Sequence, residues 1–138
     1  MINKETVYHI MTHNVHSVEV SAVLKEAISI IRKHHIRHLP VVKNDGIIGV
    51  ISSSDLNRLS FGGLFEQQDT ADESILEMLS IENVMSHKPG VVNSGTSVQD
   101  VAKIFENESF HSLPVVDAGQ LVGIVTTTDV IKYMLSQY

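Results

Sequence analysis

The 138-residue chain has no cysteine. That removes disulfides, thiolate metal sites and cysteine nucleophiles together. Positive charge is the scarcer sign, with 10 Lys and Arg against 16 Asp and Glu and a formal net charge of -6. A phosphate backbone demands clustered cations, so no nucleic-acid partner is expected. No stretch approaches the ~20 apolar residues of a membrane span, and residues 1–20 carry no apolar run of signal-peptide type. The simplest expectation is a cytoplasmic protein that avoids membranes. Gly-x-Ser-x-Gly elbows and Walker-type loops are also missing, so no catalytic constellation emerges and no enzyme is expected. The remaining composition, 43% hydrophobic and 19% charged, is that of a folded globular protein.

What the chain does have is a copy of itself. His38-Leu39-Pro40-Val41-Val42 returns as Ser112-Leu113-Pro114-Val115-Val116. Gly49-Val50-Ile51-Ser52-Ser53-Ser54-Asp55 returns as Gly123-Ile124-Val125-Thr126-Thr127-Thr128-Asp129, and Met11 returns as Met85. Each pair holds one constant register of 74 positions. One supersecondary unit is therefore built twice, and a unit of about 55 residues is marginal alone, so the copies are expected to lean on each other. The boundaries read as a first motif over 1–60, an acidic linker over 61–80 and a second motif over 81–138.

In the first copy Leu24, Ala27, Ile28 and Ile31 fall on one helix face. Ser21 is the expected cap, and the helix should fade near Lys33-His34. Leu39–Val42 and Ile47–Ile51 read as strands around an Asn44-Asp45-Gly46 turn, and a helix opens near Asp55. In the second copy Val98, Val101, Ala102 and Phe105 form the helix face, with Thr96 and Gln99 as an expected capping box. Strands at Leu113–Val116 and Leu121–Val125 flank an Asp117-Ala118-Gly119 turn, and a helix runs toward Met134. Short strands after Ser17 and around Val91-Val92 complete a β-α-β-β-α unit in each copy. Between the copies, Phe61-Gly62-Gly63 should break a helix and Glu73–Leu79 could form a short one. That stretch carries Glu66, Asp69, Asp72, Glu73 and Glu77 without a Lys or Arg, and reads as a solvated acidic linker.

These residues resemble the CBS domain, named from cystathionine beta-synthase, in a tandem pair. The resemblance rests on the helix before Leu-Pro-Val-Val, the glycine-bearing strand and the closing Gly-x-x-Ser/Thr-x-x-Asp, all present twice. It implies an α+β fold in which two motifs pack sheet to sheet about a pseudo-twofold axis. It also implies a homodimer, and clefts for AMP, ADP, ATP or S-adenosylmethionine as regulatory ligands rather than required cofactors.

The candidate ligand residues follow from that pattern. Asp55 and Asp129 lie where a strand passes into a helix, and a carboxylate can accept both hydroxyls of a ribose. Ser52, Ser54, Thr126 and Thr128 present hydroxyls beside the helix start, where free N–H groups favour anions. Read singly, the same residues are ordinary helix caps. In nucleotide-binding members, basic residues before Leu-Pro reach phosphate, which points to Arg37 and His38 in one copy and His111 in the other. Thr96 aligns with a nucleotide-contacting threonine, whereas its counterpart is Ala22. Val18, Ile36, Val92 and Phe110 could line an adenine slot or serve the core. Gly49 and Gly123 read as points of close approach by a backbone or a ligand. Eight histidines invite a metal reading, through His34 and His38 or through His9, His13, His16 and His87. No carboxylate completes such a group locally, so no metal is expected. The leading expectation is a stand-alone regulatory module for adenosine ligands that signals to a partner protein. The alternative is a structural dimerisation module with ligand-free clefts.

Overall fold

The computed structural model describes residues 5–59, 79–87 and 89–138. The Phe61–Gly63 break and all but the last residue of the Glu73–Leu79 helix lie outside them. The chain divides into two compact units. One comprises the described part of His16–Lys88; the other, that of Met1–Val15 together with Pro89–Tyr138. Residues 5–15 thus belong with the second repeat, and the Ile81–His87 segment belongs with the first.

The unit built on the first repeat runs β1 (Val18–Glu19), α1 (Leu24–His34), β2 (His38–Lys43), β3 (Gly46–Ser52) and α2 (Ser53–Leu59), and is joined by α3 (Ile81–Val84) and β4 (Ser86–His87). The strands form one sheet in the order β1-β2-β3-β4. β1 runs parallel to β2, while β3 pairs antiparallel with β2 and β4. Parallel β1 and β2 need a crossover, and α1 supplies it. Its Leu24, Ala27, Ile28 and Ile31 are buried with Leu39, Val41, Ile51 and Leu56 in one cluster. Each fully buried Leu or Ile contributes roughly 2 kcal/mol of transfer free energy. α1 ends at His34 because His35 takes a left-handed conformation, φ 53°, as its C-cap. The N-terminus differs from the expected one. The N-cap is Val23, and no side chain caps it, so Ser21 sits outside the helix start.

The other unit repeats the plan with α4 (Val98–Asn107), β5 (Ser112–Asp117), β6 (Gln120–Thr126) and α5 (Thr127–Ser136). Here the outer pairings shrink to single bridges, Val92 with Val115 and Thr12 with Ile124. Val98 and Val101 are buried, and Ala102 and Phe105 pack against the cluster that holds Val101. The expected Thr96–Gln99 box does not form. Ser97 is the N-cap, and its hydroxyl accepts from the Asp100 N–H at 3.0 Å.

Both hairpins close through two residues at positive φ, Asn44 (52°) with Asp45 (67°), and Ala118 (52°) with Gly119 (80°). That is the turn whose twist matches antiparallel strands. Both also carry a register shift at the same place, Val41/Val42 and Val115/Val116.

The repeated methionines have a structural cause. A Cβ on Gly49 would lie 2.4 Å from Met85 Sδ and 2.8 Å from the Ser86 carbonyl oxygen. A Cβ on Gly123 would lie 2.7 Å from the Thr12 carbonyl oxygen and 2.8 Å from Met11 Sδ. What approaches each glycine is therefore protein backbone and a methionine. Val7 and Met11 are buried in the core of one unit, and Ile81 and Met85 in that of the other. The lead-in to each repeat completes the core of the unit built on the other repeat.

Candidate functional site

At the end of each hairpin away from the turn candidate residues come together, five in the first repeat and four in the second. In the first repeat His38 and Ser52 are direct partners across β2 and β3. The Ser53 N–H donates to the Arg37 carbonyl at 2.9 Å, which ties the residue before the strand to the helix start. In the second repeat Ser112 faces Thr126, and the Thr127 N–H donates to the His111 carbonyl at 3.0 Å. The strand pairing alone thus brings Arg37 and His38 beside Ser52–Asp55, and His111 beside Thr126–Asp129. Thr96 is elsewhere. Val92 pairs with Val115, and the Ser94 N–H donates to Asp117 Oδ1 at 3.0 Å, so this stretch heads toward the hairpin turn. Within its unit Thr96 lies at the turn end, a strand's length from Thr126.

The serine, threonine and aspartate groups form reciprocal caps. Ser52 Oγ accepts from the Asp55 N–H at 3.0 Å, and Asp55 Oδ2 accepts from the Ser52 N–H at 3.1 Å. Thr126 Oγ1 accepts from the Asp129 N–H at 3.1 Å, and Asp129 Oδ2 accepts from the Thr126 N–H at 2.9 Å. Each box satisfies two otherwise unpaired donors and fixes the carboxylate's direction. Capping uses one oxygen of each carboxylate, so the second oxygen decides what else the group can hold. In Asp55 that oxygen, Oδ1, accepts from the Arg58 guanidinium. In Asp129 it has no partner among the described residues. Ser54, Thr128, Arg37 and His111 are exposed, whereas Ser52, His38, Thr126 and Asp129 are half-buried and Ser112 is buried. Fixed carboxylate oxygens, exposed hydroxyls and a flanking cation can hold a sugar diol and an anion; they are binding chemistry.

Arg58 was not a sequence candidate. Its signal is the spacing, three residues beyond Asp55 on the same helix, with Lys132 at the matched position after Asp129.

The histidines are also placed. His13 Nε2 lies 2.8 Å from the Tyr8 carbonyl oxygen, and His87 Nε2 lies 3.0 Å from that of Glu82. A carbonyl only accepts, so each Nε2 carries the proton and closes the turn at its lead-in segment. His34 stacks on His16, with ring centroids 3.7 Å apart and planes 17° apart. Desolvation lowers the His34 pKa from its ordinary 6.5, and the charges of His16, Lys33 and His35 lower it further. Among the described residues no three His, Cys, Asp or Glu side chains gather as a metal site. Val18 and Val92 are buried, and Ile36 and Phe110, partly buried, pack against the two cores. No described helix is long and apolar enough to cross a membrane.

Comparison with known proteins bears on this arrangement. The CBS domain family profile matches residues 7–62 and again 81–136. The chain belongs to the CBS domain family. As a CBS pair it is 27% identical over 135 residues to a CBS domain-containing protein of Dictyostelium discoideum, covering 96% of this chain and 92% of that one. It is 30% identical over 141 residues to the chloroplastic CBS domain-containing protein CBSX2 of Arabidopsis thaliana, covering 88% of this chain but 59% of CBSX2. The crystal structure of CBSX2 in complex with AMP matches with a TM-score of 0.78 and 28% identity, over 96% of this chain and 98% of that chain. The CBS domain pair of protein MJ0100, in complex with 5'-methylthioadenosine and S-adenosyl-L-methionine, matches with a TM-score of 0.73 and 25% identity, over 94% and 98%. The α+β fold is thus that of a CBS pair, and the matched segments begin within the two lead-ins.

Proposed function

We propose that this CBS pair is a regulatory module that binds adenosine-containing ligands, using Asp55 and Asp129 for ribose hydroxyls. Ser52, Ser54, Thr126 and Thr128 would assist, with Arg37, His38 and His111 toward phosphate. The observation that carries the reading is the pre-oriented carboxylate at Asp129, whose Oδ1 has no partner among the described residues, in a chain similar to a protein crystallised with AMP. Hydrogen bonds to a carboxylate contribute roughly 1.5–3 kcal/mol each, enough for two to anchor a sugar. Thr96 joins the candidate set from the resemblance alone. Calorimetry with AMP, ADP, ATP and S-adenosylmethionine tests the proposal. We expect saturable binding by at least one, lost when Asp55→Asn and Asp129→Asn are combined. Absence of heat and of thermal shift with all four defeats it.

A second reading is a structural dimerisation module. It is favoured by the capping boxes, which give both aspartates a purely structural use, and by Ala22 at the position matching Thr96. The two readings share a homodimer. α5 leaves Ile131, Met134 and Leu135 at 55%, 51% and 66% exposure on one face, and Tyr138 continues the same spacing. A second copy covering that stripe would remove it from water. Leu135→Glu should then shift sedimentation from dimer to monomer. A wild-type chain that sediments as a monomer at all concentrations removes the homodimer from both readings.

A further inference from the structure

The two repeats differ at one atom that a ligand would need. Asp55 Oδ1 is occupied by Arg58, while Asp129 Oδ1 has no partner among the described residues. The matched cation in the second repeat, Lys132, makes no hydrogen bond or ion pair among the described residues. The surroundings differ in the same sense. Arg37 and His38 flank Asp55, whereas His111 and the buried, uncharged Ser112 flank Asp129.

We propose that Arg58 is a specificity-determining residue, which makes the Asp55 site select adenosine ligands that carry phosphate, while the Asp129 site accepts uncharged adenosine ligands as well. The inference rests on the adenosine-binding reading above. A ribose arriving at Asp55 competes with a guanidinium for the one carboxylate oxygen that capping leaves over. An uncharged ligand offers Arg58 nothing in exchange. A phosphate offers it a second anion of matching geometry, with Arg37 and His38 alongside. Arg58 then moves from carboxylate to phosphate, and the diol takes its place. At Asp129 no such exchange is required.

Lysine does not substitute for this device. An ammonium is a compact point charge without the planar fork that lets guanidinium pass between two oxyanions.

The test is a site-resolved titration of the full chain. The amides of Ser52 and Thr126 donate to the two carboxylates and so report each site separately in ¹H–¹⁵N spectra. Adenosine and ADP are titrated into wild type, Arg58→Gln and Lys132→Gln. The Arg58 side chain is 76% exposed, so its loss should leave the fold intact. At the Ser52 reporter, Arg58→Gln should raise adenosine affinity about two- to five-fold, the span that an exposed ion pair allows, and weaken ADP. The Thr126 reporter should not change, and Lys132→Gln should leave both sites as in wild type. Equal ADP-to-adenosine preference at Ser52 with and without Arg58 overturns the inference while leaving adenosine binding in place. Failure of every adenosine compound to move either reporter overturns both readings at once.

Discussion

The two repeats share their scaffolding and differ at their edges. Strand register, the bulge after the second strand residue of Pro-Val-Val, the capping box and the methionine over a glycine are reproduced position for position. The cap of the crossover helix, the cations near the carboxylate, one turn residue and a histidine pair are not. The shared features are those that satisfy backbone groups or fill the core, where one displaced atom is felt. The unshared ones lie mostly at exposed or half-buried positions, where substitutions are cheaper in stability and freer to alter what the surface recognises.

The largest expected effects test whether the two lead-in segments are equivalent. Met11 and Met85 are each 6% exposed, and replacing either by Ala should cost about 3 kcal/mol in urea unfolding. Gly49→Ala and Gly123→Ala should cost about 2 kcal/mol or more, because each new Cβ meets a carbonyl oxygen as well as a sulfur. Gly49→Ala should couple with Met85→Ala but add independently to Met11→Ala, and Gly123→Ala should show the reverse. A large loss at one glycine with none at the other would break the equivalence.

Ligand binding sharpens the comparison next. Asp129→Asn should weaken binding of uncharged adenosine ligands more than Asp55→Asn does. Equal losses from both would mean that the second carboxylate oxygen is not what distinguishes the repeats.

Much of this was legible because periodicity and turn chemistry act locally. The α1 face at Leu24, Ala27, Ile28 and Ile31, the β2 and β3 strands and the turn at Asn44 follow from side-chain spacing and backbone sterics that a sequence displays directly. The lead-in arrangement was not legible. Met11 and Met85 announced themselves as a repeated pair, but a methionine pattern says nothing about which core it enters, and that pairing spans long stretches of chain. The helix starts failed for a different reason. Ser21 and Thr96 are good capping residues one or two positions too early, and backbone dihedrals at Val23 and Ser97 decided the matter. The site's polar groups were found by motif, while Arg58 was missed because an ion pair along a helix is common enough to pass unremarked.

The caps provide a transplant of about 1 kcal/mol. Val23 occupies the position that Ser97 holds in the second repeat, with similar dihedrals, φ -77° ψ 150° against φ -70° ψ 150°. Val23 is also 67% exposed. Val23→Ser should therefore stabilise by about 0.5–1 kcal/mol, and Ser97→Val should destabilise by about the same amount. Opposite signs from thermal melts support equivalence of the two helix starts; a loss from Val23→Ser contradicts it. The turns offer a smaller change. Ala118 holds φ 52° where the first repeat has Asn44, a residue better suited to the left-handed region. Ala118→Asn should gain about 0.5 kcal/mol.

The smallest expected effect belongs to a feature that only the first repeat has. His34 stacks on His16, while the matched positions hold Glu108 and Gly90, which cannot form a ring pair. The His34 pKa lies below 6.5 because of desolvation and because His16, Lys33 and His35 repel its charged form. The sign follows from that direction. The folded state binds this proton more weakly than the unfolded chain, so the contribution is fully present above 6.5 and is lost as pH falls through the lower folded value. Both rings face solvent, which screens their charges and keeps the effect small. His16→Gln should move the His34 titration midpoint, read from its ring proton resonances, back toward 6.5 and flatten the stability profile on the acid side of neutrality. A midpoint that stays where it was would show that the neighbouring charges of Lys33 and His35, not the stacked ring, set the acidity of His34.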